Sequence, residues 1–259
     1  MNIVDLSSIE IQTYLMVLAR IGGMFGVAPV FGSNNIPRQA KAAMSLVLAL
    51  VIFPGISKPP SGYPNDLISY AVFIGKEIGV GLIIGFIASL ITSSVQIAGQ
   101  LIDMQIGFGM VNIVDPVSGM QVTVIGQFQY IIAILLFLGT NSHHILLKAI
   151  GESYRLVPIS GLSLNKACQI GVVGLFKEMF SLAFRIAAPI TCALLLTDVV
   201  MAVLARAVPQ MNVFIVGFPL KIASGLLILA ITIPVFASLL KGSFHKLESG
   251  IAFILRGAY

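Results

Sequence analysis

Three stretches of this chain run without a charged side chain, at residues 78–102, 116–147 and 222–240, and a fourth, 11–37, is interrupted only by Arg20. A hydrocarbon core of ~30 Å takes ~20 helical residues to cross. Inside it every backbone N–H and C=O must be paired within the protein, which favours helices. Two further segments are less regular. Residues 42–53, held between Lys41 and Pro54, reach only ~18 Å as a helix, too little to cross a bilayer unaided. Residues 170–205 are apolar but contain Lys177, Glu178, Arg185, Pro189 and Asp198. The expectation is an all-α membrane protein with about six hydrophobic helices, two of them unusual.

Composition narrows the class further. Charged residues make up 10% of the chain and hydrophobic ones 58%, whereas a soluble domain carries about 25% charged residues to wet its surface. No stretch is polar enough to cover a soluble domain, so residues 1–259 read as a single membrane domain. The net charge of +5 is scattered, without a Lys/Arg run that would take nucleic acid. Cys168 and Cys192 lie in or beside apolar segments and read as small apolar residues rather than a disulfide. Asp5 and Glu10 at the start argue against a signal peptide, which needs a positive n-region. Lys241, Lys246 and Arg256 against Glu248 favour a cytoplasmic C-terminus. Arg38 and Lys41 in the first loop oppose the matching placement of the N-terminus, so charge bias alone leaves topology open.

Pro29 and Pro37 bracket a Gly/Ser/Asn turn, and Pro54, Pro59, Pro60 and Pro64 mark a loop. Residues 103–123 and 139–165 read as longer polar connections, and 206–212 as a short one. No internal repeat stands out.

Gly75 and Gly79, then Gly81 and Gly85, form two four-residue spacings on one helix, with Gly99 further along. Such glycines clear a stripe for a second backbone, although membrane helices are Gly-rich in general. Charges inside apolar helices cost about 2.5–3.5 kcal/mol each at a helix centre. Arg20, Arg185 and Asp198 fall in this class. Asp103 stands at the start of a polar connection, and Lys76, Glu77, Lys177 and Glu178 read as nearer helix ends. They serve a polar conduit or ion relay, or they pair with one another or with a neighbouring subunit, or snorkel to the interface. Glu178 and Arg185 share a face but sit ~10 Å apart along it, too far for a direct pair.

No catalytic set converges, and no metal or cofactor site is expected. His143 and His144 point ~100° apart on a helix and cannot hold one metal from one face. There is no His-Glu-x-x-His motif, no serine in a protease-like glycine setting and no phosphate loop. The stretch 96–127 is instead the most informative. It is too polar for lipid and too apolar for a solvated loop; Gly107 and Gly109 break a helix, and Asp115-Pro116 turns the chain. Irregular backbone at membrane depth is tolerated only when buried in protein or lining an aqueous cavity. The segment therefore reads either as a re-entrant or pore-blocking loop or as an amphipathic surface loop.

These residues carry a resemblance. Ile102-Asp103-Met104-Gln105-Ile106-Gly107-Phe108 and Asn112-Ile113-Val114-Asp115-Pro116 resemble the FliR family, the R subunit of the flagellar type III export apparatus, whose injectisome counterpart is SctT. In order along the chain stand also Arg20, Ala28-Pro29, Ile36-Pro37, Ala98-Gly99, Asn141, Ser153-Tyr154 and Pro158. Arg206, Pro209, Gln210, Met211 and Asn212 form the last block, followed by Gly217-Phe218-Pro219-Leu220-Lys221, a run similar to the flagellar branch. The resemblance implies a non-enzymatic subunit of an export gate in the bacterial inner membrane and flagellar basal body. It implies FliP- and FliQ-type partners, with FlhA and FlhB of the same apparatus, and unfolded flagellar subunits as cargo. It also implies bent helical hairpins around a channel, and a plug loop matching Gly107, Phe108, Gly109, Met110, Val111, Asn112, Ile113, Asp115, Pro116 and Met120. A small secondary transporter, with the charged helix holding a coupling ion, is the alternative; it calls for internal pseudo-symmetry. An intramembrane hydrolase is a third reading and lacks a catalytic set.

Overall fold

The structure, a computed structural model, describes residues 3–33, 35–56, 64, 66–108, 123–163, 165–210 and 212–259, with backbone alone at 3–8, 213 and 214. Among these residues the chain forms α1 (Ile3–Val27), α2 (Arg38–Ile52), a 3-10 turn (Phe53–Gly55), α3 (Leu67–Ile106) and α4 (Val124–Gly139). These are followed by α5 (Ser142–Leu156), α6 (Lys166–Ala207), α7 (Val213–His245) and α8 (Leu247–Gly257). The protein is an all-α membrane protein. α3 and α6 are long and apolar enough to cross a bilayer, as is the stretch Ile215–Gly257. The broken pair α4–α5 supplies a fourth span if counted as one.

The six hydrophobic segments correspond to α1, α2, α3, α4, α6 and α7. Two elements were not expected. Residues 139–165, read as a polar connection, contain α5, and the C-terminal tail contains α8. Both are short and amphipathic. α5 buries Ser142, Leu146, Ala149, Ile150 and Ser153, and α8 buries Leu247, Ile251, Ile254 and Leu255. Those spacings of three, four and seven put each set on one helical face. The charge-free run 116–147 is likewise not one helix. α4 stops at Gly139 and Asn141 takes a left-handed φ of 57° before α5 begins; Asn tolerates that region better than most residues.

The chain forms two compact units. The first comprises Met1–Leu90, Asn141–Phe176 and Phe244–Tyr259. Here α1 and α2 form a hairpin. Its turn uses Val30 at φ 68°, and Tyr14 on α1 donates to the Leu46 carbonyl of α2 at 3.2 Å. α2 spans fifteen residues and ends where Pro54 enters the 3-10 turn, so it stays short of a full crossing. α5 packs on α8, and Lys148 meets Glu248 at 3.2 Å on their exposed rim. The core holds Met16, Ile21, Met24, Val80, Ile84, Leu146, Ile150 and Leu255.

The second unit comprises Ile91–Thr140 and Lys177–Ser243. Its core includes Val95, Ala98, Ile102, Ala133, Phe137, Ile190, Leu194 and Leu240. Pro189 in α6 and Pro219 and Pro234 in α7 each remove one helical N–H.

At ~1.5 Å per residue the forty residues of α3 measure about 60 Å, roughly twice a hydrocarbon core. The long helices differ in what covers them. In α3 56% of the most apolar window is buried within the chain, against 28% in α6 and 17% in Ile215–Gly257. Leu195, Leu196, Val199 and Val203 on α6, with Ile215 and Ile231 on α7, stay more than half exposed.

Candidate functional site

Among the described residues, Arg20 is the largest side chain that is fully buried. It sits mid-α1 among Met16, Val17, Ile21 and Met24, where a bare guanidinium would be strongly disfavoured. The fold surrounds it. Arg20 Nε donates to Glu77 Oε2 at 2.7 Å, Nη1 to Ser153 Oγ at 2.8 Å, and Nη2 to the Val157 carbonyl at 3.1 Å. The guanidinium carbon lies 3.7 Å over the Tyr154 ring. Glu77, 1% exposed, uses Oε1 to accept from the Ser160 N–H at 2.9 Å. Lys76 Nζ donates to the Ser160 carbonyl at 3.1 Å. One buried ion pair thus ties α1 to α3 and holds the turn after α5, where Ser160 takes a φ of 64°. Lys76 and Glu77 lie well inside α3 rather than near its end, and Arg20 finds its carboxylate 57 positions away in sequence.

Glycines let α1 and α3 approach within this same unit. A Cβ on Gly81 would overlap the Arg20 carbonyl, and one on Gly85 would stand 2.7 Å from Met24 O. From the opposite helix, a Cβ on Gly23 would stand 2.5 Å from Ile78 O. Gly23 was not singled out from sequence, although the Gly22-Gly23 pair was a visible signal. Gly79 faces only the Leu162 side chain, and Gly75 has open space around it. In the second unit, a Cβ on Gly99 of α3 would overlap the Gly126 Cα of α4.

Asp198, Glu178, Arg185 and Asp103 of the second unit fall into three environments. Asp198 is half-buried, accepting from Lys221 Nζ at 2.5 Å and from Gln105 Nε2 at 3.2 Å. Glu178 and Arg185 on α6 are exposed and make no ion pair among the described residues. Asp103 is 4% exposed and accepts from the main-chain N–H groups of Ile125 and Gly126.

Of the segment expected to form a plug, Gly107 and Phe108 are described; Gly109, Met110, Val111, Asn112, Ile113, Asp115, Pro116 and Met120 lie outside the described residues. Gly107 has φ 103°, a conformation that glycine alone adopts readily, with Phe218 against it. The late block occupies the junction between α6 and α7. Arg206 stands in the last turn of α6, where a cation suits the helix dipole. Pro209 and Gln210 form the exposed turn, and Asn212 Oδ1 accepts from the Ile215 N–H at 3.4 Å at the start of α7. Pro219 is exposed on the first turns of α7, two residues before Lys221.

Comparison with known proteins covers nearly the whole chain. The family described as bacterial export proteins, family 1, matches residues 11–247. The flagellar biosynthetic protein FliR of Bacillus subtilis is 36% identical over 94% of this chain and 93% of its own length. That of Escherichia coli is 25% identical over 95% and 93%. That of Aquifex aeolicus is 28% identical over 90% of each.

Proposed function

Because this chain belongs to the FliR family of bacterial export proteins, we propose that it is a non-catalytic subunit of the type III export gate in the bacterial inner membrane. It assembles there with FliP- and FliQ-type subunits, beside FlhB and beneath FlhA, and conducts unfolded flagellar subunits. The observation that carries this reading is the outer face of α6. That face is broadly apolar, with Phe180, Phe184, Leu195 and Val199 exposed, yet it bears Glu178 and Arg185 without partners among the described residues. Water does not suit the apolar side chains. Lipid does not suit the charges, at about 2.5–3.5 kcal/mol each near mid-membrane. Helices of other subunits, carrying their own polar groups, satisfy both.

The gate's barrier is assigned to residues 107–120. Phe108, Met110, Val111 and Ile113 supply apolar bulk, and a constriction lined by such side chains excludes water and ions by dewetting. No bond need break for it to open. Deleting Met110 to Ile113 is expected to leave the complex assembled while making the membrane permeable to small ions, with flagellar subunits still exported. Conductance or small-solute uptake in cells carrying the assembled variant is the measurement. Parent-like permeability in an assembled complex would remove the barrier role from this loop.

A further inference from the structure

We propose that Asp103 is the positioning residue that ties together the two ends of the 107–123 connection. Its effect on permeability rests on the reading of that connection as a barrier; its structural role does not.

Asp103 stands one turn before the end of α3. Its main-chain carbonyl accepts from the N–H groups of Gly107 at 3.1 Å and Phe108 at 3.0 Å, closing the helix where the connection leaves. Its side chain serves the other end. Oδ1 accepts from Ile125 N–H at 3.1 Å and Oδ2 from Gly126 N–H at 3.4 Å, the second and third residues of α4. First-turn N–H groups have no partner inside their own helix and are usually served by the residue at the N-cap. Here Thr123 holds that position but makes no side-chain capping bond. The acid on α3 takes over the task, and its negative charge suits the positive end of the α4 dipole.

The contact below it has no slack. Gly99 lies one turn before Asp103 on the same face of α3, where a Cβ would overlap the Gly126 Cα. The two backbones touch, and Asp103 holds the next turn. Among the described residues no Lys, Arg or His forms an ion pair with Asp103. Its partners are main-chain amides at the two ends of one connection.

The test is amide-resolved hydrogen exchange on the assembled complex, alongside ion permeability. In Asp103→Leu the amides of Ile125 and Gly126 should exchange about tenfold faster, as expected for the loss of a charge-assisted hydrogen bond, while residues 84–98 of α3 exchange as in the parent. Asp103→Asn keeps one acceptor oxygen and should give a smaller increase. Permeability should rise in the same order, with subunit association retained. Faster exchange without added permeability would uphold the tie and remove the barrier reading. Parent-like exchange at Ile125 and Gly126 in Asp103→Leu would overturn the proposal. Should that variant not assemble, parent-like exchange in Asp103→Asn would overturn it equally.

Discussion

Glu77→Leu should prevent the folded chain from accumulating in membranes. It leaves the Arg20 guanidinium fully buried with only Ser153 Oγ, the Val157 carbonyl and the Tyr154 ring around it. Removing one partner of a buried pair costs about 3–5 kcal/mol, a large share of the ~5–15 kcal/mol that holds a typical domain folded. Arg20→Met should be similarly damaging, since Glu77 then keeps only the Ser160 N–H. The double variant should recover much of the loss, because replacing both ions with apolar groups is often close to neutral. Ser153 helps here, as its hydroxyl retains the bond to the Ile150 carbonyl at 2.6 Å. Steady-state level and thermal midpoint of the purified chain provide the readout. If each single change is tolerated as well as the double, Arg20 and Glu77 do not act as one unit.

The glycines should separate by face rather than by spacing. Gly81→Ala and Gly99→Ala each place a methyl on main-chain atoms of the neighbouring helix. Backbone cannot rotate aside as a side chain does, so the helices must part, at about 1–3 kcal/mol or more. Gly75→Ala meets nothing within 4 Å and should be neutral or stabilising by up to ~1 kcal/mol, because alanine is the better helix former. Gly85→Ala should resemble Gly81→Ala, and Gly79→Ala should be milder because Leu162 can move. Equal effects at positions 75 and 81 would show that the close contact of α1 with α3 is not a constraint on this fold.

That contrast marks how far the sequence could be read. The four-residue spacings located the glycines, but residues 81 and 85 lie about 120° around the helix from 75 and 79, and spacing does not say which face is covered. The long apolar windows located α3, α6 and α7 because a period and a length suffice for that. α5 escaped because the uncharged run 116–147 passes straight through the break at Thr140–Asn141, and lack of charge cannot separate a spanning helix from an amphipathic one. The partner of Arg20 was illegible for a different reason. A buried arginine announces the need for a carboxylate, but ten acids are available in the chain and only the three-dimensional meeting of α1, α3 and α5 selects Glu77. Asp103 was visible as an acid before a glycine-rich break; its partners are main-chain amides, which leave no mark in a sequence.

The need for association with other subunits follows from the exposed apolar surface on α6 and α7 and from Glu178 and Arg185 on α6, which lack partners among the described residues. It is tested most directly by purifying the chain in mild detergent, alone and co-expressed with FliP- and FliQ-type subunits. Alone, it should aggregate or be degraded; co-expressed, it should elute with both as one stable complex. A monodisperse, long-lived monomer that ignores both subunits would contradict the claim.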